Sequence, residues 1–367
     1  MRLPRAARHP FFLRTLARGH GHELAPLLRE YHLQLQVVAH VRGVISPSLI
    51  TLTQSRVGAG IRLFGGDRVA CPLRLWIAVP SSLVEDVGSK DERTRRVGMI
   101  ARAAAIFRAE RIFVFRDPLS DRPHDAEFIA RILEYMATPP YLRRKLFPVA
   151  EDLEKVGLLH PLGIPPHRRS RELRPGEVRE AVLELVGGRL YADVGVGRLL
   201  EYVGRGQAGR RATVVVRERN GDFYCEEAQP TEYWGFSVSV VDLLPKLVRS
   251  SRPSHFIVTS KSGAPLGGSL DALSRAASSD GPVLVAFGSR RGLLEMHDRE
   301  VYESLGALIV NFIPGQGVES VRTEEAALAV LAIMRALGEL ARGSPGQRPG
   351  SGAAPTGQAD GPRSGEA

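Results

Sequence analysis

The chain has 367 residues, with 50 Lys and Arg against 40 Asp and Glu, a formal net charge of +10 and a pI near 10.0. Its 43% hydrophobic and 25% charged residues are ordinary for a globular protein, which excludes a wholly disordered or fibrous chain. No apolar run approaches the roughly 20 residues of a membrane span, and Cys71 and Cys225 alone can build neither a disulfide framework nor a zinc knuckle, so a cytoplasmic protein without metal is expected.

Residues 1–72 carry ten Arg and three acids, most of the positive excess. No clean amphipathic periodicity of a transit segment survives Pro4, Pro10 and Gly19-His20-Gly21, so this stretch reads as a basic arm or as sequence ahead of a true start near Val69 to Leu75. Leu75 to Val79 then reads as a strand and Asp91 to Phe107 as a helix, with Val97, Ile100, Ala101 and Ala104 on one face. A strand Arg111 to Phe115 and a helix His124 to Ala137 follow, and this strand-helix alternation predicts a parallel sheet. Between Gly163 and Pro230 the pattern changes to short strands (Ala181 to Val186, Arg189 to Val194, Thr213 to Glu218) and Gly-rich turns, expected to close a small barrel. The α/β rhythm returns with strands near Phe256 to Thr259, Val283 to Phe287 and Ala307 to Phe312 and a long helix from about Thr323 to Ala341. Residues 344–367, rich in Gly, Pro and Ser, are expected to be disordered. The organisation is therefore 73–162 and 231–343 as a split α/β domain, 163–230 as an inserted barrel, and two ends.

Gly204 to Gly209 matches the letters of GxGxxG, but it leads into the β-branched run Thr213 to Val216 and not into a helix, so it reads as a hairpin turn. There is no P-loop, Gly-x-Ser-x-Gly or HExxH motif, and His20, His22, His32, His160 and His167 lack partners that would complete a site. Three segments stand out: Gly98-Met99-Ile100-Ala101-Arg102 on the first helix, Ala286-Phe287-Gly288-Ser289-Arg290-Arg291-Gly292-Leu293, and Asn311-Phe312-Ile313-Pro314-Gly315-Gln316-Gly317 running on through Glu319, Ser320, Val321 and Arg322 to the last helix. The last two are loops at the carboxyl ends of strands, where open α/β sheets place ligands.

Together the three segments resemble the motifs of the SPOUT RNA methyltransferases. Residues 75–115, 137–162 and 282–326, with phrases such as Thr138-Pro139-Pro140-Tyr141-Leu142-Arg143-Arg144-Lys145, resemble more closely the archaeal and eukaryotic branch related to the large-subunit rRNA uridine-N3 methyltransferase, which carries an inserted OB-like barrel. The resemblance implies an α/β knot with a carboxyl-terminal trefoil, S-adenosylmethionine as cofactor, a homodimer and an RNA substrate, with a base nitrogen such as uridine N3 as acceptor. By the same resemblance the cofactor pocket uses Phe287, Gly288, Gly292, Asn311, Ile313, Pro314, Gly315, Gly317, Ser320 and Val321, and Arg102 is the motif arginine that holds the target nucleotide or a phosphate. Glu319 and Arg322 lie in the loop from which a catalytic group would come, and the choice between them stays open. Arg96 stands where the 2′-O-methylating branch has Asn, and Ser320-Val321-Arg322 where it has Ser-Leu-Asn, which favours a base nitrogen over a ribose oxygen.

RNA contacts are expected from the basic stretch Tyr141 to Arg174, in particular Arg143, Arg144, Lys145, Arg168 and Arg169, and from Arg210 and Arg211 on the barrel. Tyr191, Tyr202, Phe223 and Tyr224 are candidates either for base stacking or for the barrel's core. A second reading, an RNA-binding ribosome-assembly factor with little catalysis, differs from the enzyme in lacking cofactor binding.

Overall fold

In the computed structural model, which describes residues 73–122, 124–167 and 170–343, the first apolar run forms strand β1 (Arg74–Pro80). Helix α1 (Lys90–Ile106) begins where the Ser89 hydroxyl accepts from the Glu92 amide at 3.2 Å, with Asp91 and Glu92 complementing the positive end of the helix. It ends before Arg108, which turns the chain in a left-handed conformation (φ 55°) into β2 (Ala109–Phe115). Helix α2 (Asp125–Ala137) buries Phe128, Ile129, Ile132, Leu133 and Met136, the stripe its 3.6-residue period defines. A single turn, α3 (Arg143–Leu146), follows.

Five strands then close a barrel in the order β3 (Val178–Val186), β4 (Arg189–Asp193), β5 (Leu199–Val203), β7 (Asp222–Glu227) and β6 (Arg211–Arg219). Its centre holds Leu183, Ala192, Val194, Leu200, Tyr202, Val214, Val216 and Cys225. Tyr202 is therefore a core residue and no stacking platform: it is buried, and its hydroxyl donates to the Arg205 carbonyl at 2.9 Å. Gly204 to Gly209 joins β5 to β6 as a turn.

The chain re-enters the sheet through β8 (Ser237–Val241), then α4 (Leu244–Ser251), β9 (His255–Pro265), α5 (Leu266–Ala277), β10 (Pro282–Ala286), the short helices α6 (Leu293–Met296) and α7 (Arg299–Ser304), β11 (Ala307–Asn311) and α8 (Thr323–Gly343). The order across the six-stranded sheet is β11-β9-β10-β1-β2-β8, every pair parallel. One face buries Ile77, Val79, Ile112, Val114, Val283 and Val285 under α1, α2, α5 and α8; the other buries Trp76, Phe113, Phe256, Val258 and Leu284 under α4, α6 and α7, with Tyr302 of α7 packed among them. At 25 cal/mol per Å² of apolar area, two covered faces supply the dominant stabilising term.

Two features of this sheet position the site. The connection from β1 runs to β2 on one side, while that from β10 runs to β11 on the other, so the adjacent pair β1 and β10 forms the switch point where open sheets leave a crevice. In addition, Ile309 pairs with Val258 but the next residue, Val310, pairs with Ala264, which pushes Thr259 to Gly263 out of the ladder at the carboxyl end of β9.

Candidate active site

Three loops meet at that crevice. The one after β10 turns sharply at Gly288, where a Cβ atom would lie 2.8 Å from the Leu293 nitrogen and 2.9 Å from the Gly292 Cα, so only glycine lets this loop fold back on itself. The Thr323 hydroxyl donates to the Gly288 carbonyl at 2.7 Å and ties the loop to the start of α8. The loop after β11 is held by Asn311, whose Oδ1 accepts from the Ile313 amide (3.0 Å) and whose Nδ2 donates to the carbonyl of Lys261 in the looped-out segment (2.9 Å). At its far end the Arg322 amide donates to Glu325 at 2.9 Å, one half of a capping box for α8.

These loops enclose two adjoining clefts. The larger, about 370 Å³, lies among the looped-out Thr259 to Ser262, the β10 loop, Asn311, Ile313, Gln316, Ser320 and Val321. A smaller one, about 320 Å³, sits at the switch point between Ser82, Leu83 and Asp86 after β1, Arg96 on α1, Ser289 and Arg290 after β10, and Glu319, Arg322 and Glu324 after β11. Ser289, Arg290, Ser320 and Thr323 line both, so the clefts communicate.

Of the residues expected to hold a cofactor, Gly288, Gly292, Asn311, Ile313, Ser320 and Val321 line the larger cleft. Phe287 lies beneath it, fully buried, with its amide already donating to the Ala78 carbonyl at 2.9 Å. Pro314, Gly315 and Gly317 shape the β11 loop without forming the wall, and Gly315 supplies its left-handed turn (φ 72°). Sequence reasoning missed the wall from Thr259 to Ser262, because a strand that abandons its register in mid-run leaves no mark in hydrophobic periodicity.

Glu319 and Arg322 line the smaller cleft, both exposed to solvent, and Arg322 pairs with Glu92 at 3.4 Å. Arg102 is elsewhere: its guanidinium donates to the carbonyls of Pro161 (3.0 Å) and Leu162 (3.4 Å), and it lines neither cleft of its own chain. The arginine of α1 that does reach the crevice is Arg96, 6% exposed, paired with Asp86 and with Glu324, Nε to Oε1 3.6 Å. Glu324 is 4% exposed, and burial raises its pKa above the ordinary carboxylate value against the opposing pull of Arg96 and Arg322.

The expected RNA-binding arginines divide. Arg144 and Arg210 are exposed. Arg143 instead donates to the carbonyls of Thr138 (3.0 Å) and Met136 (3.4 Å) at the end of α2 and lies over the Tyr135 ring. Lys145 pairs with Glu184 and Asp193, while Arg211 pairs with Glu180 at 2.9 Å and donates to the Thr138 hydroxyl at 3.2 Å, so these two fasten the barrel and its approach segment together. Glu180, buried in the barrel wall, also accepts from Thr213 (2.7 Å) and from the Trp234 indole (2.6 Å). Arg168 and Arg169 lie outside the described residues, as do the segments 1–72 and 344–367.

Among the described residues no three His, Cys, Asp or Glu side chains gather as metal ligands would, and no helix is long and apolar enough to cross a membrane.

A doubly covered parallel sheet with joined clefts at its switch point defines an α/β protein of the class that takes ligands at its strand ends. The family described as "Putative RNA methyltransferase" matches residues 74–334, and the chain belongs to it; the protein is an RNA methyltransferase. A Halobacterium salinarum protein of uncharacterised function is 37% identical over 276 residues, which cover 70% of this chain and 96% of that one. The human 28S rRNA (uridine-N(3))-methyltransferase is 31% identical over 303 residues, covering 72% of this chain and 78% of the human protein. A Drosophila melanogaster protein of the same name is 29% identical over 306 residues, covering 72% and 62%.

Proposed function

We propose that the protein transfers the methyl group of S-adenosylmethionine to N3 of a uridine in large-subunit ribosomal RNA. The reading rests on one observation above all: the larger cleft, built from backbone-rich glycine loops, opens directly into a polar cleft at the switch point, as a cofactor and an acceptor base that must touch would require. The likeness to uridine-N3 methyltransferases over most of the chain supports uridine N3 as the acceptor.

The larger cleft suits S-adenosylmethionine chemically. Ile313, Val321, Leu294 and Val330 offer apolar surface to an adenine ring, and the loop backbones bring amides and carbonyls to its edges. When bound there, the sulfonium supplies an electrophilic methyl group. The chain's own part is to hold the acceptor in line and to relieve it of its proton. A homodimer belongs to the same reading, since Arg102, outside the clefts of its own chain, would meet the acceptor only across a subunit boundary.

Calorimetry with S-adenosylmethionine, followed by incubation with a large-subunit rRNA transcript, tests the reading. Binding and methylated RNA are expected; a protein that binds the transcript but not the cofactor would instead be an assembly factor.

A further inference from the structure

Three residues that line the smaller cleft each keep a buried side-chain atom without a hydrogen-bond partner: Nε of Arg96, Oγ of Ser289 and Oε2 of Glu324. Buried polar atoms are nearly always paired, and leaving one unpaired costs about 1–3 kcal/mol. Of the six such atoms among the described residues these three share one crevice, next to the methyl-donor cleft, as a site built for a polar ligand requires; the others belong to Arg93, Thr94 and Asp125, outside it. An arginine N–H and a serine hydroxyl can donate, and an ionised carboxylate can only accept. The set is thus two donors and one acceptor. A uracil imide edge presents the complement, carbonyl O2, N3–H and carbonyl O4, whereas cytosine has no proton on N3.

Resting on the function proposed above, we propose that the smaller cleft reads the imide edge of the target uracil, with Arg96 and Ser289 donating to its carbonyls and Glu324 accepting the N3 proton. As that proton passes to the Glu324 carboxylate, the N3 electron pair forms the bond to the methyl carbon. The methyl carbon–sulfur bond breaks with its electrons going to sulfur, leaving a neutral thioether, N3-methyluracil and a protonated Glu324, which then releases its proton to solvent.

Competing carboxylates in the cleft are differently placed. Asp86 and Glu319 are exposed, and Glu92, on α1 beside the cleft, is shared between Arg96 and Arg322; Glu324 also faces Arg96 through Oε1, but it is buried and its Oε2 has no partner. The charged groups around Glu324 are Arg96 and Glu92 on α1, Asp86 after β1, Arg290 after β10, and Glu319, Arg322 and Glu325 on its own segment. Burial outweighs the cations and makes its carboxylate a stronger base than one in water.

The test uses full-length protein, S-adenosylmethionine and large-subunit rRNA transcripts made with either uridine or 5-fluorouridine, whose N3 proton is more acidic. Glu324→Gln is expected to keep cofactor and RNA affinity within about threefold and to slow single-turnover methyl transfer about 100-fold or more. The fluorinated transcript should restore at least about tenfold of that loss. A Glu324→Gln rate equal to wild type, or no recovery on 5-fluorouridine, overturns the assignment. Should that variant not fold, wild type alone decides: its rate should level off with pH, whereas a tenfold rise per unit continuing to about pH 9 would mean that hydroxide takes the proton. Independently of activity, a carboxyl infrared titration should find Glu324 ionising above 4.5, and a lower value also overturns the inference. Failure of wild type to methylate either transcript would sink the underlying function, a distinguishable result.

Discussion

The side-chain amide of Asn311, at the carboxyl end of β11, donates to the backbone carbonyl of Lys261, in the segment that leaves the β9 ladder. One residue thereby holds together two walls of the larger cleft while its Oδ1 accepts from the Ile313 amide. Asn311→Ala removes both bonds, each worth about 1 kcal/mol. The expected outcome is about a tenfold loss of S-adenosylmethionine affinity by calorimetry, with RNA affinity unchanged.

Gly288 faces backbone on the far side of its own loop, and backbone cannot swing aside as a side chain can. Gly288→Val should therefore displace the β10 loop and weaken cofactor binding by more than about tenfold. RNA affinity, read by fluorescence anisotropy, should move by less than about threefold. The opposite ordering would place the cofactor elsewhere.

His167 rests its ring against the Ala137 carbonyl at the end of α2, 3.2 Å away, and burial depresses its pKa from 6.5 to about 4. The unfolded chain takes up a proton near pH 6.5 and the folded chain does not until about pH 4. The resulting stability is present above pH 6.5 and lost progressively as pH falls toward 4. Urea unfolding at pH 7.5 and 5.0 should show wild type losing about 2 kcal/mol more than His167→Gln over that interval.

Arg143 and Arg144 are neighbours with different work. Arg144→Ala should lower the salt slope of RNA binding by about one unit and leave stability within about 0.5 kcal/mol. Arg143→Ala should cost about 1–2 kcal/mol of stability, because it leaves carbonyls at the end of α2 without their donor. Equal salt slopes for the two variants would contradict this division.

Hydrophobic period and order made the parallel sheet legible, since β1, β2, β10 and β11 are short apolar runs and α1 and α2 bury the faces their spacing defines. The barrel was legible from its Gly-rich turns. Less visible were β8, a half-exposed edge strand, and α5, whose sequence LGGSLDALSRAA opens with two poor helix formers. In the site, the loops after β10 and β11 announced themselves through glycine and proline. Glu324 did not, and for Arg96 and Ser289, which lie in or beside the motif segments, the burial without a partner that distinguishes them is a property of the assembled crevice. Arg143, Lys145 and Arg211 show the converse: basic residues in a basic stretch whose charges the fold spends on its own carbonyls and carboxylates.

The most direct test is nucleoside analysis by mass spectrometry of large-subunit rRNA, taken from cells lacking this gene and incubated with purified protein and S-adenosylmethionine. The account predicts 3-methyluridine, stoichiometric at a single position and dependent on the cofactor. A 2′-O-methylated nucleoside, a methylated cytidine or no new modification would contradict it.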